Sequence, residues 1–146
     1  MTEQSLTLQR ANAIADAVLK HAAAHKFAPL AVAVLDARGI PLVIKSDEKT
    51  GMLRWEIAHS KAWGAIAMGC GSRDLQKKAS LAPQFITALQ AMSQGRVTPV
   101  AGGVLIRDAQ GTAIGSVGVS GDTPDNDEQA AVSAIVEAGF SADTGA

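Results

Sequence analysis

A lysine set among small and apolar residues of a helical segment is the side chain here with the clearest chemical potential. Lys61 stands in Ile57-Ala-His-Ser-Lys-Ala62. An ammonium in apolar surroundings has its pKa lowered, which frees an amine for proton transfer or for attack on a carbonyl. The competing reading is a lysine that snorkels or pairs with a carboxylate at the surface. His59 is two residues away, about 200° around a helix, so the two do not form a dyad. Asp127 and Glu128 offer a general base or a metal-ligating carboxylate at a pocket mouth. Acidic residues also stabilise a helix start, which explains them equally well.

Gly102-Gly103 lets a ligand approach the chain closely and could turn backbone N–H groups toward a carboxylate or another anion. A plain turn before a strand is the other account. Neither a G-x-x-x-x-G-K-[ST] loop nor a G-x-G-x-x-G after a strand occurs, so nucleotide binding has no sequence support. His21 and His25 have the i, i+4 spacing of a helical metal pair, but no third ligand is identifiable and Lys20 and Lys26 flank them, so no metal site is assigned. Cys70, between Gly69 and Gly71 just past a helix end, offers a soft ligand or a thiol sensor, as does Met68 nearby, and the competing reading is an inert cysteine. Trp55 and Trp63 lie eight apart, about 80° around a helix, and can line one broad face, core or subunit interface being the plainer account. No Ser-His-Asp order, zinc spacing or nucleophile elbow is present.

The elements that must position these residues follow from periodicity. Leu8, Ala11, Ile14, Ala15, Val18 and Ala22 mark an amphipathic helix over about 6–26. Leu30–Leu35 and Ile40–Lys45 are strands around the turn Asp36-Ala-Arg-Gly39, and Leu53–Met68 is a second helix stopped by Gly69. Ser72 is expected to cap a short third helix to Lys78, and Pro83 to open a fourth to Met92. Val104–Arg107 and Ala113–Ser120 form a second hairpin around Asp108-Ala-Gln-Gly111, and Thr123-Pro124 starts a last helix to about Ala138. Ser141–Ala146 is expected to fray. Tight turns between neighbouring strands imply a mainly antiparallel sheet with helices packed on it, an α+β domain spanning 1–146 with its ordered core over about 5–140.

Bulk properties narrow the function classes. The chain has 146 residues, enough for one domain with a proper core. With 13 Lys+Arg against 14 Asp+Glu it lacks the field that would gather nucleic acid or an anionic membrane. The single cysteine excludes an internal disulfide, and no apolar run approaches the roughly 20 residues of a membrane span. Met1–Arg10 is polar and carries Glu3 where a signal peptide would have an apolar run, so a cytoplasmic protein is expected. Aromatics are only 3% and tyrosine is absent, so the core must pack through small and β-branched side chains.

Four ordered segments, Val32-Ala-Val-Leu-Asp-Ala-Arg-Gly39, Ile57-Ala-His-Ser-Lys-Ala62, Gly102-Gly-Val-Leu-Ile106 and Ile114-Gly-Ser-Val-Gly-Val-Ser-Gly121, followed by Asp127-Glu128, resemble the GlcG/HbpS-like family over roughly residues 5–140. That resemblance implies a profilin-like α/β/α sandwich with about five strands, assembly into homo-oligomers, and haem or small-molecule binding, with Lys61, Met68, Ser72, Gly102 and Gly103 near the pocket. Two positions depart from the family pattern. Lys45-Ser-Asp-Glu-Lys-Thr-Gly51 replaces its Met-Asp-Gly-Ala stretch, and Ser72 stands where a threonine implicated in haem ligation is usual. Three functions follow as expectations. The first is a haem- or small-ligand-binding accessory protein. The second is an enzyme on a small carbonyl or aromatic-catabolism intermediate, with Lys61 as base or electrophile and Asp127 in support. The third is an oligomeric sensor module without a ligand.

Overall fold

The computed structural model describes residues 5–146. The first four residues of the polar Met1–Arg10 start, Glu3 among them, lie outside the described residues. Helix α1 (Leu8–Ala24) begins where the Thr7 hydroxyl accepts the Arg10 N–H at 3.1 Å, and it buries Ala11, Ile14, Ala15, Val18 and Ala22, the stripe read from the sequence. Strands β1 (Ala31–Asp36) and β2 (Pro41–Ser46) form a hairpin whose turn needs Gly39 at φ +82°. Helix α2 (Arg54–Met68) ends on Gly69, whose left-handed backbone lets its N–H reach the Ala65 carbonyl.

Helix α3 (Ser72–Leu81) runs one turn beyond the expected Lys78. It stops at Ala82, which the following proline holds out of the helical region before α4 (Pro83–Met92) begins. Gly71, not Ser72, occupies the capping position of α3. The Ser72 hydroxyl is committed elsewhere, donating to the Val100 carbonyl at 2.6 Å and accepting the Gly103 N–H at 2.8 Å. Strands β3 (Gly103–Arg107) and β4 (Ala113–Ser120) precede α5 (Pro124–Glu137), which Thr123 caps.

The expected fraying of Ser141–Ala146 is not what the chain does. Ser141–Asp143 forms strand β5, paired antiparallel with β3, so that Leu105 faces Asp143 and Arg107 faces Ser141. The Arg107 guanidinium holds Asp143 at 2.8 Å, and the Thr144 carbonyl accepts the Arg73 N–H. An otherwise open edge of β3 is the physical reason: its unpaired backbone groups recruit the tail.

The sheet has the order β2-β1-β4-β3-β5, with every pair antiparallel. Its two faces differ in kind. Val32, Val34, Val104, Ile106, Val117 and Val119 point to one side and pack with α1 and α5 in the main core. The other side presents Ala31, Ala33, Gly103, Ser116 and Gly118 to α2. A Cβ on Gly118 would lie 1.9 Å from the Ala58 carbonyl oxygen, and one on Gly103 would lie 2.2 Å from that of Lys61. These two glycines are partners across β3 and β4, so the absence of their side chains lets α2 sink onto the sheet. The Ala- and Gly-rich, aromatic-poor composition therefore has a local cause in the α2 interface. No helix among the described residues is long and apolar enough to cross a membrane.

Candidate functional site

Because α2 lies so close to the sheet, Lys61 cannot reach bulk solvent by the shortest path. Its side chain is 3% exposed, and its ammonium donates to the Val119 carbonyl at 2.9 Å and to Asp127 Oδ2 at 3.3 Å. Asp127, in the first turn of α5, is 1% exposed, and its second oxygen accepts the Asp122 N–H at 2.9 Å. Asp122 in turn fixes the turn before α5 by accepting from the Ala28 and Thr123 N–H groups and the Asn126 amide. Burial lowers the Lys61 pKa, Asp127 opposes that shift, and the Arg54 charge adds to it. Burial raises the Asp127 pKa against the pull of Lys61 and of the Asp122 N–H. The pair is thus held in place at a desolvation cost, which its mutual attraction only partly offsets.

Above the pair opens a cleft of about 240 Å³, walled by Arg54, Ile57, Thr98 and Ser120, with Lys61 and Asp127 at its floor. Arg54 reaches across it to the Ser120 hydroxyl at 3.3 Å. A second cleft of about 390 Å³ adjoins, sharing Ile57 and Thr98 and adding Leu53, Trp55, His59 and Arg96. Ser60 and Thr98 exchange a hydroxyl hydrogen bond at 2.5 Å at the bottom of this second cleft. His59 is half-buried, and burial followed by the Arg96 charge holds its pKa below the usual imidazole value, which favours the neutral, metal-ligating form.

Of the residues singled out in the sequence, Lys61, Asp127 and Gly102 come together. A Cβ on Gly102, at φ +125°, would meet the Lys61 ammonium at 2.8 Å, so this glycine shapes the space around Nζ. Gly103 and Ser72 are buried beneath, and the Gly103 N–H is spent on the Ser72 hydroxyl. Met68 packs with Leu75, Ile86 and Val97 and does not reach either cleft. Glu128 is taken up by Arg73 at 3.0 Å, in a clamp between α3 and α5 that includes Asp125. The Cys70 thiol donates to Asp74 at 3.3 Å, and burial together with that carboxylate pushes its pKa up, the opposite of what a reactive thiolate needs. His21 and His25 stack with ring centroids 3.9 Å apart, and among the described residues no three metal-ligating side chains converge. The variant loop at Asp47 and Lys49 borders a separate hollow beside Phe27 and Leu30.

Arg54, Thr98, Ser120 and Arg96 were not anticipated. A signal for part of this set does exist in the sequence. Arg54, Ile57 and Lys61 follow i, i+3, i+7 and share one face of α2, while Trp55 and His59 follow i, i+4 on the adjoining face. Thr98 and Arg96 come from an irregular segment for which periodicity offers no cue.

Comparison with known proteins places this geometry in context. A family model described as haem degrading protein HbpS-like matches residues 6–136. The corrinoid adenosyltransferase PduO of Salmonella typhimurium is 32% identical over 108 residues, which is 73% of this chain but only 31% of that protein. The chain thus spans about a third of that curated relative. Among solved structures, the PduOC:haem complex superposes with a TM-score of 0.83 at 26% identity, covering 93% of this chain and 96% of that one. HbpS superposes with a TM-score of 0.78 at 28% identity, covering 91% and 89%. The match over most of the length, with the same five-stranded antiparallel sheet flanked by helices, shows that the chain belongs to the HbpS-like family.

Proposed function

We propose that this protein binds haem or a comparable small ligand in the joined clefts over α2. The observation that carries the reading is the buried Lys61–Asp127 pair lining one cleft, which shares Ile57 and Thr98 with the adjoining cleft that bears His59. Volumes of about 240 and 390 Å³ together fall in the range of roughly 300–1,000 Å³ typical of small-molecule sites. The donor set fits a haem. His59 supplies an imidazole held neutral, Trp55, Leu53 and Ile57 supply apolar walls, and Arg54 and Arg96 supply cations for the propionates. His59 would hold the iron, and bound haem would supply redox and ligand-exchange chemistry there. Lys61 and Gly102 set the polar floor, while Ser72 and Gly103 act from beneath by fixing α3 to β3.

Haemin titration followed at the Soret band tests this. A saturable, stoichiometric shift is expected, abolished by His59→Ala and weakened on acidification as His59 protonates below its ordinary value of 6.5. Shallow, unsaturating absorbance in the wild-type protein would overturn the haem reading.

A second reading has one observation in its favour: Lys61 is buried with a lowered pKa and still faces a cleft. Its amine would then condense with a small carbonyl compound, releasing water and forming an imine, with Asp127 supporting proton transfer. Borohydride treatment in the presence of a small aldehyde would leave a mass increment on Lys61 if this holds. An unmodified Lys61 would remove it.

A further inference from the structure

We propose that the His59 cleft is built for a ligand carrying a carboxylate on a flat apolar body, with Arg96 as the residue that anchors the carboxylate; this rests on the ligand-binding reading above.

Arg96 is placed by two side-chain contacts and by the turn that leads into it. The guanidinium carbon lies 4.3 Å above the Trp63 ring, and Nε donates to the Ser93 carbonyl at 2.9 Å. The preceding turn is unusual, with Gln94 at φ 58° and Gly95 at φ 80°, and the Gly95 N–H closes it onto the Gln90 carbonyl at 2.8 Å. A non-glycine residue in the left-handed region costs free energy, and such a turn persists where its surroundings fix it. The result is an arginine with its plane set and its Nε occupied. Its two terminal nitrogens have no acceptor among the described residues. A planar fork with two free N–H edges matches a carboxylate, and stacking on an aromatic ring removes much of the entropy that binding would otherwise cost.

The rest of the cleft says what the carboxylate should be attached to. Trp55, Leu53 and Ile57 are apolar members of its lining. His59 lines the same cleft as Arg96, and its imidazole can add a hydrogen bond to the ligand. Glu56, the acidic lining residue, belongs to the exposed first turn of α2. Arg96 is therefore the cation of this cleft, whereas Lys61, in the neighbouring one, is already paired with Asp127. The matching chemistry is a planar or aromatic carboxylate, either a free acid or the propionate edge of a porphyrin.

The protein carries its own reporter, because Trp55 lines this cleft, Trp63 stacks against its Arg96, and there is no tyrosine. Tryptophan fluorescence would be titrated with phenylacetate and with its neutral amide, and Soret absorbance with haemin and with haemin dimethyl ester. The expected result is at least a tenfold preference for the acid over its neutral counterpart in one or both pairs. Arg96→Gln should lower the affinity of the preferred acid to that of the neutral compound, leave the neutral compound unchanged, and keep the far-ultraviolet circular dichroism of the wild type. Arg96→Lys, which keeps charge but loses the fork, should fall between. A preference confined to phenylacetate assigns the anchor to free acids; one confined to haemin assigns it to a propionate. Equal binding of acid and neutral forms in both pairs, or equal weakening of both by Arg96→Gln, overturns the proposal. If haemin and its ester bind equally well and phenylacetate is not preferred over its amide, the haem reading survives while this one fails. If neither porphyrin binds but phenylacetate is preferred, the reverse is true.

Discussion

At the scale of single residues, Lys61 and Asp127 are the test of how the site is held. Removing one partner of a buried ion pair strands the other charge, so Lys61→Met should cost about 3–5 kcal/mol of unfolding free energy in urea titrations. Replacing both, as Lys61→Met with Asp127→Leu, should recover most of that, since an apolar pair avoids the desolvation cost. The pH profile sets the sign. Asp127 has its pKa raised on folding, so its contribution is fully present below the unfolded value of 3.8 and is lost as pH rises through the folded value. Lys61 has its pKa lowered, so stability is gained as pH climbs from its folded value toward 10.5. The double variant should flatten both limbs of urea midpoint against pH; unchanged limbs would mean other groups govern them. Both residues are legible in the sequence as chemically able groups, but their pairing is not. They are 66 positions apart, and only the depth of α2 on the sheet brings them together.

At the scale of elements, that depth is set by the Gly103 and Gly118 pair under α2. Gly118→Val should push the helix away from β4 and cost about 1–3 kcal/mol or more as overpacking. Because Lys61 rides on the same helix, haemin affinity should fall with it, whereas a Gly111→Ala change, at a turn with nothing within 4 Å, should strain its own backbone and leave haemin binding alone. Parallel calorimetry and Soret titration of the two variants would check this; equal haemin affinity in Gly118→Val and wild type would disconnect helix depth from the site. Most elements are legible because each carries its own local signal: the α1 stripe, the Gly39 and Gly111 turns, the Thr123-Pro124 start. Strand β5 is not, because Ser141-Ala-Asp143 has no alternation or β-branched residue, and only the open edge of β3 makes it a strand. The glycines of Gly102-Gly103 read naturally as a ligand approach, and one of them instead admits a helix, a distinction that lies in tertiary contact and not in spacing.

At the scale of the whole molecule, one sheet serves both the α1–α5 core and the α2 face, so the site and the core should not unfold separately. Trp55 and Trp63 report only the α2 side, whereas far-ultraviolet circular dichroism reports every helix, and their thermal transitions should coincide in the ligand-free protein. Ligand then acts on the entire transition. A haem bound only by the folded state, at a free concentration 100 times its dissociation constant, adds about 2.7 kcal/mol. For a chain of this length that corresponds to a rise in Tm of roughly 5–10 °C. The rise should disappear in His59→Ala while the ligand-free Tm of that variant stays near that of the wild type, since His59 is half-buried and accepts or donates none of the hydrogen bonds that hold α2 to the sheet. A fluorescence transition several degrees below the dichroism one would instead show that the α2 face opens on its own. Haem would then raise the lower transition alone, because a ligand stabilises only the unit whose opening releases it.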